Sequence, residues 1–274
     1  MKNLKKLLML ILMLVFVTTA CQSAPETSKE LIEQSNAAVE KEGSYTADYT
    51  SDMKLGLMGQ ELNIKMNGNI RQIIETLQSE MMMNIEMVGV PGQGQEENTI
   101  ATEVYIEKNP ENEQELITYT KAGENVQKQR VNLDETQAVT IEDTMNSYIE
   151  KSPDSFVLKD ETEEIDGTEV YVVEGTLPKE VITEMLNSTS SNMDLDQVSI
   201  ESNSEITGTY YYDVETKLPK RAIISAPDLV IRFDLGIEGA EPQTINSGFT
   251  TTLDYTGFGN VDAIEIPEAI KNAQ

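Results

Sequence analysis

Histidine and tryptophan are absent from this chain of 274 residues, and it has a single cysteine. Without an imidazole, Ser–His triads, Cys–His pairs and ordinary zinc sites cannot be built. One thiol has no disulfide partner in its own chain, and left unpaired in an oxidising compartment it would be a liability. Basic residues are scarce, 20 Lys and Arg against 48 Asp and Glu, for a net charge of −28. A surface of that sign repels phosphate backbones and acidic headgroups, which argues against a nucleic-acid partner. Long apolar runs are missing too: Leu7–Val17 falls short of the ~20 residues a membrane-spanning helix needs. Ser–Lys or paired-carboxylate chemistry is formally open, but among 48 carboxylates adjacent pairs arise by chance. The run Asp160–Gly167 is acidic enough to suggest calcium, yet it lacks the alternating ligands and closing Glu of an EF-hand and reads as a solvated hairpin tip. Neither a catalytic residue, a metal nor a cofactor is expected.

What is present begins at the N-terminus. Lys2, Lys5 and Lys6 precede the apolar run, and Thr18-Thr19-Ala20 leads into Cys21. That order is a secretory signal peptide. The small residues directly before the cysteine resemble the lipobox of bacterial lipoproteins, with Thr18 standing where Leu or Val is commonest. The resemblance implies that Cys21 receives a diacylglycerol on its sulfur and becomes the first residue of the mature chain, so that the protein is held at the extracytoplasmic face of the cell membrane. An ordinary secretory signal followed by a chance cysteine is the alternative. Removing residues 1–20 takes away three lysines and no acid, so 254 residues remain and the charge moves from −28 to −31. That length is enough for one large domain with a sizeable core.

Residues 21–26 read as a small, polar tether, and 27–274 as one domain. Thr27 with Glu30 has the form of a capping box, which predicts a helix to Glu42, stopped by Gly43. From Ser44 the period becomes two. Tyr45, Ala47, Tyr49, Met53, Leu55 and Leu57 alternate with polar residues, then Leu62, Ile64, Met66 and Ile70, then Leu77, Met81, Met83, Ile85 and Met87, with turns at Met58-Gly59-Gln60 and Val90–Gly94. Three such strands, apolar on one face and wet on the other, predict an antiparallel meander. Shorter strands are expected at Thr99–Glu107, Leu116–Lys121 and Asn125–Val131. A helix capped by Thr140 follows, carrying Ile141, Met145, Tyr148 and Ile149 at helical spacing and ending before Pro153. Phe156–Thr162 and Thr168–Leu177 read as a hairpin, Pro178–Leu186 as a third helix, and Asn187–Glu205 as a long loop. Ile206–Asp213, Arg221–Ser225, Leu229–Leu235 and Phe249–Thr256 complete a second meander. About ten antiparallel strands with three short helices belong to the α+β class. So many strands in an open sheet must curl, which predicts a half-barrel with the helices on its concave side.

Two stretches carry a further resemblance. Ile206-Thr207-Gly208-Thr209-Tyr210-Tyr211-Tyr212-Asp213, followed by Thr216–Arg221 with its Leu218-Pro219 step, and the ending Leu253-Asp254-Tyr255 through Asn260-Val261 to Ile264-Glu265-Ile266-Pro267, are similar to lipoprotein carriers of the LolA and LppX/LprG type, closest to a group of Gram-positive lipoproteins with Met-rich early strands. The resemblance implies a highly curved sheet, helices over its open side and a hydrophobic cavity. It carries no catalytic residues.

The candidate cavity lining is Tyr49, Met53, Leu62, Ile64, Met66, Met81, Met83, Ile85, Met145, Tyr148 and Met185. Met is unbranched and polarizable, so these side chains suit either a cavity for ligands of varied shape or plain core filling; thioether binding of copper(I) is a third reading, without His or free Cys to join. Two functions follow. One is a lipid-anchored binding protein that holds a lipid or other hydrophobic ligand between sheet and helices. The other is a surface lipoprotein with a filled core that acts through protein contacts, as a sensor or accessory subunit.

Overall fold

The computed structural model describes residues 24–57, 60–89, 98–132, 155–177, 198–200, 205–233 and 243–272. Helix α1 (Ser28–Glu42) starts where its cap predicts. The Thr27 hydroxyl accepts from the Glu30 N–H at 3.2 Å, the Glu30 carboxylate reaches back to the Glu26 N–H at 2.9 Å, and Gly43 ends the helix with its N–H on the Val39 carbonyl. Pro25 is already buried, so the fold grips the chain from there.

Among the described residues thirteen strands form one antiparallel sheet: β1 (Ser44–Leu57), β2 (Gln60–Ile73), β3 (Gln78–Val88), β4 (Asn98–Asn109), β5 (Asn112–Ala122), β6 (Asn125–Asn132), β7 (Phe156–Leu158), β8 (Glu163–Ile165), β9 (Thr168–Leu177), β10 (Val198–Ile200), β11 (Ile206–Asp213), β12 (Pro219–Phe233) and β13 (Gln243–Phe258). Their order is β6-β5-β4-β3-β2-β1-β13-β12-β11-β9-β7, with β10 on β12 and β8 on β9. Because β6 and β7 end the order without pairing to each other, the sheet is an unclosed half-barrel of the α+β class. The chain starts at the centre, walks out to β6, resumes at the opposite edge in β7, and returns to lay β13 against β1. The two predicted meanders are therefore halves of one sheet, joined at the β1–β13 seam.

Local departures from the sequence expectation have identifiable causes. Arg221–Ser225 and Leu229–Leu235 were expected as separate strands, but β12 runs through them with a register shift between Ala226 and Leu229. Pro227 there has no N–H for the ladder, so it bends the strand without ending it. The expected loop Asn187–Glu205 contains β10, held by Val198 opposite Phe233. The first arm of the Phe156–Leu177 hairpin is interrupted: β7 and β8 pair with the same edge of β9, separated by the polar residues Lys159–Thr162. Its turn is Asp166-Gly167, both at positive φ (50° and 78°), the two-residue geometry whose twist suits a hairpin. The expected helices at Thr140–Lys151 and Pro178–Leu186, the turn Met58-Gly59 and the loop Val90–Gly94 lie outside the described residues. A one-turn helix, α2 (Glu268–Lys271), closes the chain and was not expected.

Register defines two faces. The inner face carries Tyr49 and meets α1, and it holds two cores. In the β7–β9–β11–β12 half, Leu31 and Ile32 of the helix pack on Phe156, Val173, Leu177, Ile206 and Tyr210. At the seam, Tyr45, Ala47, Tyr49, Ile70 and Tyr255 form the other, with Val39 of the helix against it. Helix α1 thus straps both halves. Tyr45, Tyr255 and Phe258 have ring centroids 5.5–6.4 Å apart, geometry worth about 0.5–1.5 kcal/mol per pair beyond area burial.

The outer face of β4 and β5 is covered. Tyr105, Ile117 and Tyr119 are buried beneath a C-terminal tail that contributes Val261, Ile264, Ile266 and Ile270. The tail is pinned by the Gly259 N–H to the Ser44 carbonyl (2.9 Å), the Val261 N–H to Ser44 Oγ (3.2 Å), Arg71 Nη2 to the Ala263 carbonyl (3.2 Å) and Lys271 to Glu107 (3.3 Å). Under it, the Tyr105 phenol donates to Glu103 and the Tyr119 phenol to Glu107. Burial first, and then the neighbouring carboxylate, pushes each phenol up to about 12. An unfolded tyrosine releases its proton near pH 10. Between pH 10 and 12 the folded chain therefore binds more protons than the unfolded one, so stability is intact below pH 10 and falls as pH rises through this window. Urea midpoints should drop across it, in step with the appearance of tyrosinate absorbance. A midpoint flat to pH 12 would show that the tail does not shield these phenols.

Candidate functional site: the inner apolar face

Strand register, rather than proximity in sequence, assembles the predicted lining. Across the first three strands Tyr49 stands opposite Gly68 and then Met83; Ser51 opposite Met66 and then Ile85; Met53 opposite Ile64 and then Met87; Leu55 opposite Leu62. Ala47 stands opposite Ile70 and then Met81. Hence Tyr49, Met53, Leu62, Ile64, Met66, Met81, Met83 and Ile85 all share one face. Within it there is a gradient. Tyr49 and Ile70 are 8% exposed and belong to the seam core, and Met66, Met81 and Met83 pack against that core half-buried. Farther along the strands Met53, Leu62, Ile64 and Ile85 are half-buried as well. Met145, Tyr148, Met185 and the lipid-attachment residue Cys21 lie outside the described residues.

Reading the sequence strand by strand missed the other side of this face. Strand β13 lies on β1 with Leu253 opposite Tyr49, Thr251 opposite Ser51 and Phe249 opposite Met53. The Ser51 and Thr251 hydroxyls bond to each other at 2.9 Å, which satisfies both within an otherwise apolar row. No local pattern links residues 200 positions apart; only the closing of the β1–β13 seam brings them together.

Along β13, β1, β2 and β3 the described positions that share the Tyr49 face include no Asp, Glu, Lys or Arg. Lys217, 5% exposed at the β11–β12 turn, is engaged locally: its ammonium donates to the Val214 carbonyl and lies 4.7 Å from the centroid of the Tyr171 ring. Burial lowers its pKa. Ion pairs instead decorate the outer face, as in Arg71–Glu80 (2.6 Å), Lys121–Glu103, Arg221–Asp254 and Lys159–Glu174 (2.6 Å). Among the described residues no three His, Cys, Asp or Glu side chains gather as a metal site would require, and no helix is long and apolar enough to cross a membrane.

A cleft of about 500 Å³ lies elsewhere, between the start of α1 and β7, lined by Glu26, Thr27, Ser28, Lys29, Phe156, Val157 and Leu158. The predicted lining contains none of these residues. Their composition offers no signal, because the cleft arises where the Ser28 hydroxyl, bonded at 2.9 Å to the Phe156 carbonyl, fixes the helix to the sheet edge.

With this geometry in place, the chain was compared with known proteins. No protein-family profile matches it, and no curated protein matches it in sequence. Solved structures do match. Lipoprotein LppX of Mycobacterium tuberculosis is 14% identical with a TM-score of 0.40, the match covering 86% of this chain and 97% of that one. LprF of Mycobacterium bovis is 12% identical with a TM-score of 0.41, covering 87% and 96%. A domain of Vibrio parahaemolyticus described as an outer-membrane lipoprotein-sorting protein is 10% identical with a TM-score of 0.24, covering 89% and 95%. At such scores the function must be argued from this chain's own residues.

Proposed function

We propose that this protein is a lipid-anchored extracytoplasmic binding protein that holds a hydrophobic ligand, a lipid or another apolar molecule, on the inner face of the half-barrel beneath its helices. Supporting the reading is one observation: a continuous apolar face, Met-rich and in register across β13, β1, β2 and β3, that stays half-buried beyond the seam core. Fully burying side chains of this size stabilises by about 1.5–3 kcal/mol each, so a face left partly open is one that an apolar ligand would complete. Thioethers at Met53, Met66, Met83 and Met87 let it adapt to ligands of different shape. Anchoring through a diacylglycerol on Cys21, and with it the extracytoplasmic location, is supported by the order of charged, apolar and small residues before that cysteine.

The competing reading is a surface lipoprotein whose core is filled by its own side chains and which acts through protein contacts; the tight Tyr45–Tyr255–Phe258 packing favours it near the seam. Native mass spectrometry after gentle purification separates the two. Co-purifying acyl species, displaced by a fluorescent fatty acid, are expected of a carrier. Met83→Asp or Ile64→Asp should then weaken uptake by about tenfold or more, the equivalent of ~1.4 kcal/mol. A clean apo mass with no uptake would leave the filled-core protein as the answer.

A further inference from the structure

The cleft at the start of α1 lies at the root of the anchor. Pro25 is buried and Glu26 is bonded into the first helical turn, so no more than four residue steps separate Cys21 from the body. Fully extended, four steps span at most about 13–14 Å. The headgroup zone on each side of the hydrocarbon core is itself about 5–8 Å deep. Even at full reach the body rises only about 5–9 Å above that zone, so the wall beside Pro25 is the part of the body held nearest the bilayer. That wall is the cleft lined by Glu26–Lys29 and Phe156–Leu158, because Ser28 Oγ is bonded to the Phe156 carbonyl.

A second observation comes from the same wall. Among the described residues only three large apolar side chains are notably exposed: Met82 at 39%, Ile100 at 36% and Val157 at 64%. The most exposed of them is in β7, the terminal strand of the sheet, beside the root of the anchor. The charges around it are paired by sign: Glu26 and Lys29 line the cleft, and Glu174, opposite Val157, is bridged to Lys159 at 2.6 Å. We propose that the first turn of α1 and strand β7 form the membrane-facing surface of the protein, with Val157 entering the interface of the leaflet that holds the Cys21 lipid. This rests on the lipid-anchor reading above. The surface contacts zwitterionic lipid, since a chain of net charge −31 is repelled by anionic headgroups.

The absence of tryptophan supplies the test. Val157→Trp and Met82→Trp each create a chain with one tryptophan at a site already exposed. The chain from residue 21 onward, coupled through its one thiol to a maleimide lipid in phosphatidylcholine vesicles, is compared with and without bromine on the vesicle acyl chains. Emission of the Val157→Trp protein is expected to shift to shorter wavelength on coupling and to lose most of its intensity in brominated vesicles, while the Met82→Trp protein, its reporter on the outer face of β3, keeps its intensity. Equal quenching of both, or of neither, overturns the assignment. Quenching that follows bromine on the coupled lipid alone places the anchor's own acyl chain in the cleft and overturns the bilayer as occupant. Failure of the anchor reading is seen separately: a cell-produced chain whose intact mass shows an unmodified Cys21 overturns the lipid attachment whatever the vesicles report.

Discussion

With the first 20 residues exchanged for an ordinary cleavable secretory leader, Cys21→Ser is expected to move the protein from the membrane fraction to the soluble fraction, with the mass of a diacylglycerol missing. The effect should be close to complete. Among the described residues no helix can span a bilayer, and the mature charge of −31 opposes adsorption to acidic headgroups. Stable anchoring takes two acyl chains, since one myristoyl chain binds with only about 10⁴ M⁻¹. A thioether-linked diacylglycerol brings both in one step. Val157 adds at most the transfer of one small apolar side chain, too little to hold the protein alone. Fractionation at high salt with intact-mass measurement decides the matter. A serine variant that stays in the membrane pellet, correctly processed, would mean that the anchor is elsewhere.

Phe156→Ala is expected to be the most destabilising single change among the described residues, by about 3–5 kcal/mol for a buried Phe replaced by Ala. Against the 5–15 kcal/mol typical of a folded domain, that is a third or more of the whole. Phe156 is 2% exposed, packs edge-on against Tyr210 with centroids 6.1 Å apart, and sits over two glycines that face each other across β9 and β11. Those glycines make room for the ring. A Cβ on Gly175 would lie 2.5 Å from a Phe156 ring carbon and 2.3 Å from the Ser155 carbonyl oxygen; one on Gly208 would be 3.4 Å from the ring. Because Leu31 and Ile32 of α1 pack into the same core, losing the ring also loosens the strap that joins the two halves of the sheet. Urea midpoints should fall with little change in slope. Gly175→Ala should be strongly destabilising as well, and the double variant should cost less than the two singles added, since one of the two clashes disappears with the ring. Strict additivity would show that the glycine does not serve Phe156.

Much of the architecture was legible because it is written in local periods. Helix α1 was predicted to its caps, since Thr27, Glu30 and Gly43 act on backbone groups within four residues of themselves. Strands β1 to β3 and β11 were visible as alternation, and their shared face follows once hairpins set the register. The two meanders were recognised, and so was the α+β class. Places where the reading failed share one feature: the deciding partner is distant. The prediction broke β12 at Pro227, but pairing with β13 on one side and β11 on the other carries the strand through the bulge. Three residues of a polar stretch became β10 only because Phe233, Arg232 and Ile231 were there to pair with them. The burial of Tyr105, Ile117 and Tyr119, on which the local pattern was silent, comes from a tail more than 140 residues later in the chain that lies over them.

From the amino-acid order alone came the anchor motif, the sign of the surface, the exclusion of histidine chemistry and the apolar face of the early strands, because each is a property of residue identity or of near-neighbour spacing. Only the tertiary structure decided that β13 closes on β1, that α1 bridges two cores, that the C-terminal tail shelters the far side of the sheet, and that the cleft beside the anchor is made from Glu26–Lys29 and Phe156–Leu158. These depend on contacts between segments from 100 to more than 200 residues apart, and no one segment carries the period or composition from which such a meeting can be read.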